Sequence, residues 1–205
     1  MKLIIGTSVL LAALSFCPPA SADEGVQGHI LCAFNGAQRG AYGAVLGEPS
    51  HEALTVIERI ADIVGIENNF DVRSAEFQSS TPIAYATVYQ GRRQIVYDRE
   101  FFTESGESRL RWAEIGIYAH EVGHILGTHI FLDDDRHSEE LAADRFAGFI
   151  IARLGGSESQ AVSMDRHLNA NDSATHPART RRVEAIIEGW ELGQRMKGVE
   201  VDARR

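Results

Sequence analysis

The 205 residues carry 20 basic and 29 acidic side chains, a formal charge of −9, with 44% hydrophobic and 24% charged content. That length suits one domain with a core of its own, and the acidic balance argues against nucleic acid as a partner. Charge of this sign is otherwise mainly a matter of solubility.

In chain order, residues 1–22 read as a secretory signal peptide. Lys2 supplies the positive start, residues 3–16 an apolar stretch, and Ala20-Ser21-Ala22 a small-residue cleavage signal. The protein is therefore expected to be exported, to a periplasm or outside the cell. Cys17 raises a lipid anchor as an alternative, but Phe16 is bulky where such a signal wants a small residue. No later stretch is long and apolar enough to span a bilayer. Once the signal is removed Cys32 is the one remaining cysteine, so no internal disulfide forms and zinc ligation by cysteine is excluded.

Residues 23–49 are glycine-rich and weakly periodic, an extended lead-in with Ile30, Leu31, Ala33 and Phe34 as its apolar anchors. Ser50 then caps a helix that places Leu54, Ile57, Ile60, Ala61 and Val64 at helical spacing and stops at Gly65. Alternation predicts a strand over 70–77 and two more over 83–89 and 94–97, the last two joined by Gln90-Gly91-Arg92-Arg93 as a four-residue hairpin loop. These form a small antiparallel sheet, half of the core, whose edge could also hold an extended peptide by backbone hydrogen bonds. Helices are expected over 110–126, 138–154, 158–168 and 178–196. Strands come first and helices afterwards, so the fold class is α+β, mostly helical, with residues 50–205 as one domain.

The chemistry is concentrated in His120-Glu121-Val122-Gly123-His124, inside the 110–126 helix. Residues four apart share a helix face, so both imidazoles can reach one cation, and Glu121 lies about 100° around, towards the open side of the site. Zinc wants two such nitrogens, a third protein ligand and a position left for water, with a carboxylate near enough to take the water's proton. Gly116 and Gly123 weaken this helix by about 1 kcal/mol each relative to alanine, which close packing of another element would explain.

Four residues are candidates for the third ligand: His129, His137, Glu139 and Glu140. A metzincin site needs a histidine six residues after His124, where this chain has Ile130, so His129 is one position short. Glu140 is preferred because Asp144 follows it on the same face, where its carboxylate can accept the other ring N–H of a ligating histidine. Asp133-Asp134-Asp135 reads as a solvated acidic loop, lacking the alternating spacing of a calcium loop.

His120-Glu121-Val122-Gly123-His124, then Glu140-Leu141-Ala142-Ala143-Asp144-Arg145, then Thr175-His176-Pro177 with Arg182-Val183 resembles, in that order, the gluzincin peptidases of the CAAX prenyl endopeptidase family. The resemblance covers residues 80–190 and implies a zincin-like fold and a zinc metallopeptidase domain over 50–205. It implies that His120, His124 and Glu140 ligate Zn²⁺, that Glu121 is the general base, and that Asp144 supports the ligands from behind. It further implies that His176 helps stabilise the oxyanion; its other reading is a helix-entry residue ahead of Pro177. The family's substrate strand falls on Ala84, Tyr85 and Ala86, although Ile83 stands where the family has asparagine. The spanning helices and helical repeats of other members are missing.

Two functions follow as expectations: an exported zinc-dependent metalloendopeptidase acting on a protein or peptide substrate, and a catalytically silent, zinc-stabilised binding or chaperone-like protein. Retention of Glu121 favours the first, because a structural zinc site has no use for a base there.

Overall fold

The computed structural model describes residues 29–34, 45–67, 69–77, 83–103, 111–127 and 136–197. The signal segment, His129 and the Asp133-Asp134-Asp135 run lie outside the described residues. Among those described, no helix is long and apolar enough to cross a membrane.

The α+β class holds, with one five-stranded sheet and a larger helical part. The strands are β1 (His29–Ala33), β2 (Val45–Gly47), β3 (Asp71–Glu76), β4 (Ala84–Tyr89) and β5 (Arg92–Asp98), in the order β1-β4-β5-β3-β2. The sheet is mixed rather than antiparallel, because β3 and β5 run parallel, Val72 opposite Ile95 and Ser74 opposite Tyr97. Both outer strands come from the segment read as an extended lead-in. In particular, β1 lies antiparallel along β4, so β4 is an interior strand and not an edge.

The β4–β5 hairpin is tighter than its sequence suggests. Tyr89 pairs with Arg92, leaving a two-residue turn of Gln90 and Gly91 with φ of 49° and 76°. Positive φ at both positions is the turn that matches the strands' twist. Arginines 92 and 93, expected in the loop, are paired strand residues.

Helix α1 (His51–Val64) starts at Ser50, whose hydroxyl accepts from the Ala53 N–H, and ends at Gly65 in the left-handed region. Its buried face of Ala53, Ile57, Ile60 and Ala61 joins the main core. After the short α2 (Arg99–Thr103) comes α3 (Trp112–Leu126), with Ala113, Ile117, Tyr118, Ala119, Val122 and Ile125 all in that core. Buried Glu114 anchors its first turn, accepting from the Arg111 backbone N–H at 2.6 Å and from the Arg111 guanidinium at 2.9 Å.

Helix α4 (Arg136–Arg153) packs on α3 and, more closely still, on α6 (Arg179–Lys197). A Cβ at Gly148 would lie 1.9 Å from the Ile186 carbonyl oxygen, and one at Gly189 would lie 1.8 Å from that of Arg145, so the two backbones touch. Gly123 likewise lets α3 approach α4, where a Cβ would stand 3.1 Å from the Ala143 Cα. The helix expected over 158–168 is a four-residue α5 (Glu158–Ala161) running into a 3₁₀ segment, Val162–His167, which carries Met164 into the core against Gly116.

Candidate metal centre

Three backbone elements meet at one buried point. Helix α3 supplies His120, Glu121 and His124, α4 supplies Glu140 and Asp144, and α6 with the turn before it supplies Arg182 and His176. All seven are buried. The shared face of α3 follows from the four-residue histidine spacing, and the close α3–α4 approach at Gly123 brings the Glu140 carboxylate to it.

His120 Nε2 and His124 Nε2 stand 3.0 Å apart. Glu140 Oε2 is 3.5 Å from the first and Oε1 is 3.3 Å from the second. One donor atom from each of the three residues lies within 4.8 Å of the others. Behind His120, Asp144 Oδ1 accepts from Nδ1 at 2.9 Å. That bond uses the Nδ1 proton and turns the Nε2 lone pair towards the cluster. Two imidazole nitrogens and a carboxylate converging in this way could hold a metal ion. The two ring nitrogens stand at hydrogen-bonding distance of each other, donor and acceptor being set by the tautomers, and both face the Glu140 carboxylate.

Electrostatics support the same reading. Burial, outweighing the pull of Asp144, lowers His120 to about 4, so the ring stays neutral and able to ligate. For Glu140, burial is outweighed by His124, Arg182 and His120, which together keep the carboxyl ionised well below its ordinary range. Asp144 is held ionised against burial by Arg182 and His120. Glu121 differs. Burial lifts it to about 8, with Glu140 adding to the rise and His124 and the Ala86 backbone opposing it. Neither of its oxygens has a partner at strict hydrogen-bonding geometry.

The remaining predicted residues separate cleanly. His176 is buried at the cluster, its Nε2 3.4 Å from Glu140 Oε2 and its Nδ1 2.8 Å from the Thr175 hydroxyl. His137 sits in the first turn of α4 with Nε2 donating to the Ser173 carbonyl at 2.8 Å, outside the cluster. Glu139 is half-buried and is not one of the converging groups. Ala84, Tyr85 and Ala86 are all buried in β4, beside the centre but covered by β1.

Two participants had no role assigned from sequence. Arg182 is 1% exposed and donates to Asp144 through Nε at 2.6 Å and Nη2 at 2.8 Å, with Nη2 also 3.4 Å from Glu140 Oε2. Phe34 is fully buried, its ring edge-on to His120 at 5.2 Å and beneath the Arg182 guanidinium at 5.3 Å. A signal for Arg182 did exist. It lies on the same helix face as Ala185, Ile186, Gly189 and Gly193, and an arginine on an apolar face requires a buried anion.

Comparison of the chain with protein-family models, with curated proteins and with solved structures finds no match.

Proposed function

We propose that the protein is an exported zinc-dependent metalloendopeptidase of gluzincin type, with His120, His124 and Glu140 holding the metal. The observation that carries this reading is the convergence of those three donors beside a buried glutamate that is left without a strict hydrogen-bond partner. The order of sheet, H-E-x-x-H helix and glutamate-bearing helix accords with a zincin-like domain. A zinc ion bound there supplies Lewis acidity towards a carbonyl and an acidified water.

The chain's own groups divide the remaining work. Glu121 accepts the proton of the attacking water and delivers it to the amine as the C–N bond breaks. Burial raises its carboxyl in the metal-free centre, and a cation bound beside it would draw it back towards the ionised form that accepts a proton. His176, steadied by Thr175, donates towards the oxygen on which negative charge develops. Asp144 fixes the His120 tautomer, and Arg182 neutralises Asp144 and Glu140. The substrate is an extended protein or peptide segment read along β4 at Ala84, Tyr85 and Ala86. The net acidic charge argues against nucleic acid as a partner.

Burial of the whole cluster favours a second reading, a catalytically silent, zinc-stabilised binding or chaperone-like protein. Zinc-loaded protein incubated with unfolded casein separates the two. Cleavage that stops with a chelator and returns with zinc supports the peptidase; zinc-dependent stability without cleavage, both in the intact chain and with residues 29–34 removed, supports the silent protein.

A further inference from the structure

We infer that residues 29–34 are a built-in pseudosubstrate: β1 and Phe34 occupy the peptide groove of the metal centre and close it until displaced. The inference rests on the peptidase reading and concerns the regulation of that same site.

The groove is defined by β4. Along a strand, alternate residues direct their backbone N–H and C=O to the same side. The Ala84 carbonyl accepts from the Phe34 N–H at 3.1 Å, so Ala84 and Ala86 both address the side on which β1 lies. The Ala86 backbone is also what Glu121 meets. The general base and the strand edge that would hold a peptide therefore face the same place, and β1 fills it. Its direction is antiparallel to β4, with Cys32 opposite Ala86 and Ala33 opposite Tyr85.

Where β1 ends, the chain crosses the centre itself. The Phe34 carbonyl accepts from Arg182 Nη1 at 3.2 Å, and its ring rests on His120. The result is closure: His120 and Glu121 are 0% exposed, Glu140 2%, His124 and His176 3%. No polypeptide reaches such a centre unless something moves. Helices α3 and α4 supply the ligands and α6 the Arg182 that holds Asp144 and Glu140, so none of them can leave without dismantling the centre. Among the described residues, β1 lies at the edge of the sheet, hydrogen-bonded to β4. It is the removable piece, and the fully buried Phe34 marks a position that takes a large aromatic side chain.

The test inserts a site for a specific protease between β1 and β2 in the full chain, then cuts there and removes the released segment. In metal-free protein, carbethoxylation of His120 and His124 is followed by mass spectrometry; in zinc-loaded protein, casein cleavage is followed. Both are expected to rise by at least about tenfold on release, as the open fraction rises, and the synthetic peptide of residues 29–34 should reverse the gain. Phe34→Ala in the uncut chain should give a smaller rise in both readouts, which guards against a cut that damages folding. Histidines equally protected before and after release, and in Phe34→Ala, would overturn the inference. Equal casein cleavage by cut and uncut protein would also overturn it, while leaving the peptidase reading intact. Histidines that become reactive without any hydrolysis would support closure by β1 and remove the peptidase reading instead.

Discussion

Arg182 grips Asp144 with two charge-assisted hydrogen bonds, 2.6 and 2.8 Å long, where both side chains are almost wholly removed from water. Asp144 in turn holds His120, so the ion pair on α4 and α6 bears on how the His120 ring on α3 is oriented. Breaking a buried pair by removing one partner costs about 3–5 kcal/mol, because the other charge is stranded. Asp144→Ala should therefore cost stability of that order and weaken zinc binding by roughly 10–100-fold through loss of the His120 tautomer lock. Arg182→Met should cost a similar amount, and the double variant less than the sum of the two. Denaturant melts and chelator competition provide the measurements; strict additivity would mean that the pair does not act as a unit.

The metal-free protein should lose stability as pH rises from 6.5 to 8. Glu121 has its carboxyl raised from 4.5 to about 8, so the folded state holds a proton that the unfolded chain has released, and stability falls across that window. His124, raised above 6.5 by Glu140 and Glu121 against burial, acts in the same direction. His120, lowered to about 4, acts oppositely, but only between 6.5 and 4, where it offsets Glu121. The expected loss above pH 6.5 is on the order of 1–2 kcal/mol. Thermal melts of chelated protein would show it, and Glu121→Gln should flatten the slope.

The α4–α6 crossing tolerates no side chain at Gly148 or Gly189. Gly148→Ala and Gly189→Ala each drive a methyl group into a carbonyl of the facing backbone, and overpacking of this kind costs about 1–3 kcal/mol or more. Gly116→Ala meets only the flexible end of Met164 at 2.8 Å. Its gain in helix propensity, about 1 kcal/mol, should leave it near neutral. Melting temperatures of the three variants should fall in that order of severity, with zinc affinity dropping for the first two because they displace Arg182 and Asp144.

Much of this arrangement was legible in the sequence because it rests on local spacing. The His120/His124 pair, the Glu140/Asp144 pair and the Ser50 cap are all one-turn or half-turn relationships within a single helix. What could not be read depends on contacts between distant segments. The parallel β3–β5 pairing joins strands that β4 separates in the chain, and β1 has no clean alternation to announce it. Gln90 takes a left-handed turn position that sequence rules reserve for Asn, Asp or Gly, so the hairpin reads as longer than it is. The 158–168 helix passes into 3₁₀ geometry at Val162, and the contact of Met164 with Gly116 that goes with it joins segments far apart in the chain.

On the peptidase reading, His176 acts as an oxyanion donor and not as a metal ligand. His176→Phe keeps the bulk beside Glu140 but removes the donor, so zinc content and melting temperature should change little. Losing one oxyanion donor lowers kcat by about 10²–10³, and KM should stay close to wild type. A variant that lost zinc and activity together would instead make His176 part of the metal's support.

The decisive measurement is casein cleavage by the zinc-loaded protein from which residues 29–34 have been released, run beside the same preparation carrying Glu121→Gln. Wild type should cleave, and Glu121→Gln should fall to background with about one zinc per chain still bound, because the ligands remain and only the base is gone. Undiminished cleavage by the Glu121→Gln protein, or zinc-loaded wild type that cleaves nothing in either form, would contradict the assignment.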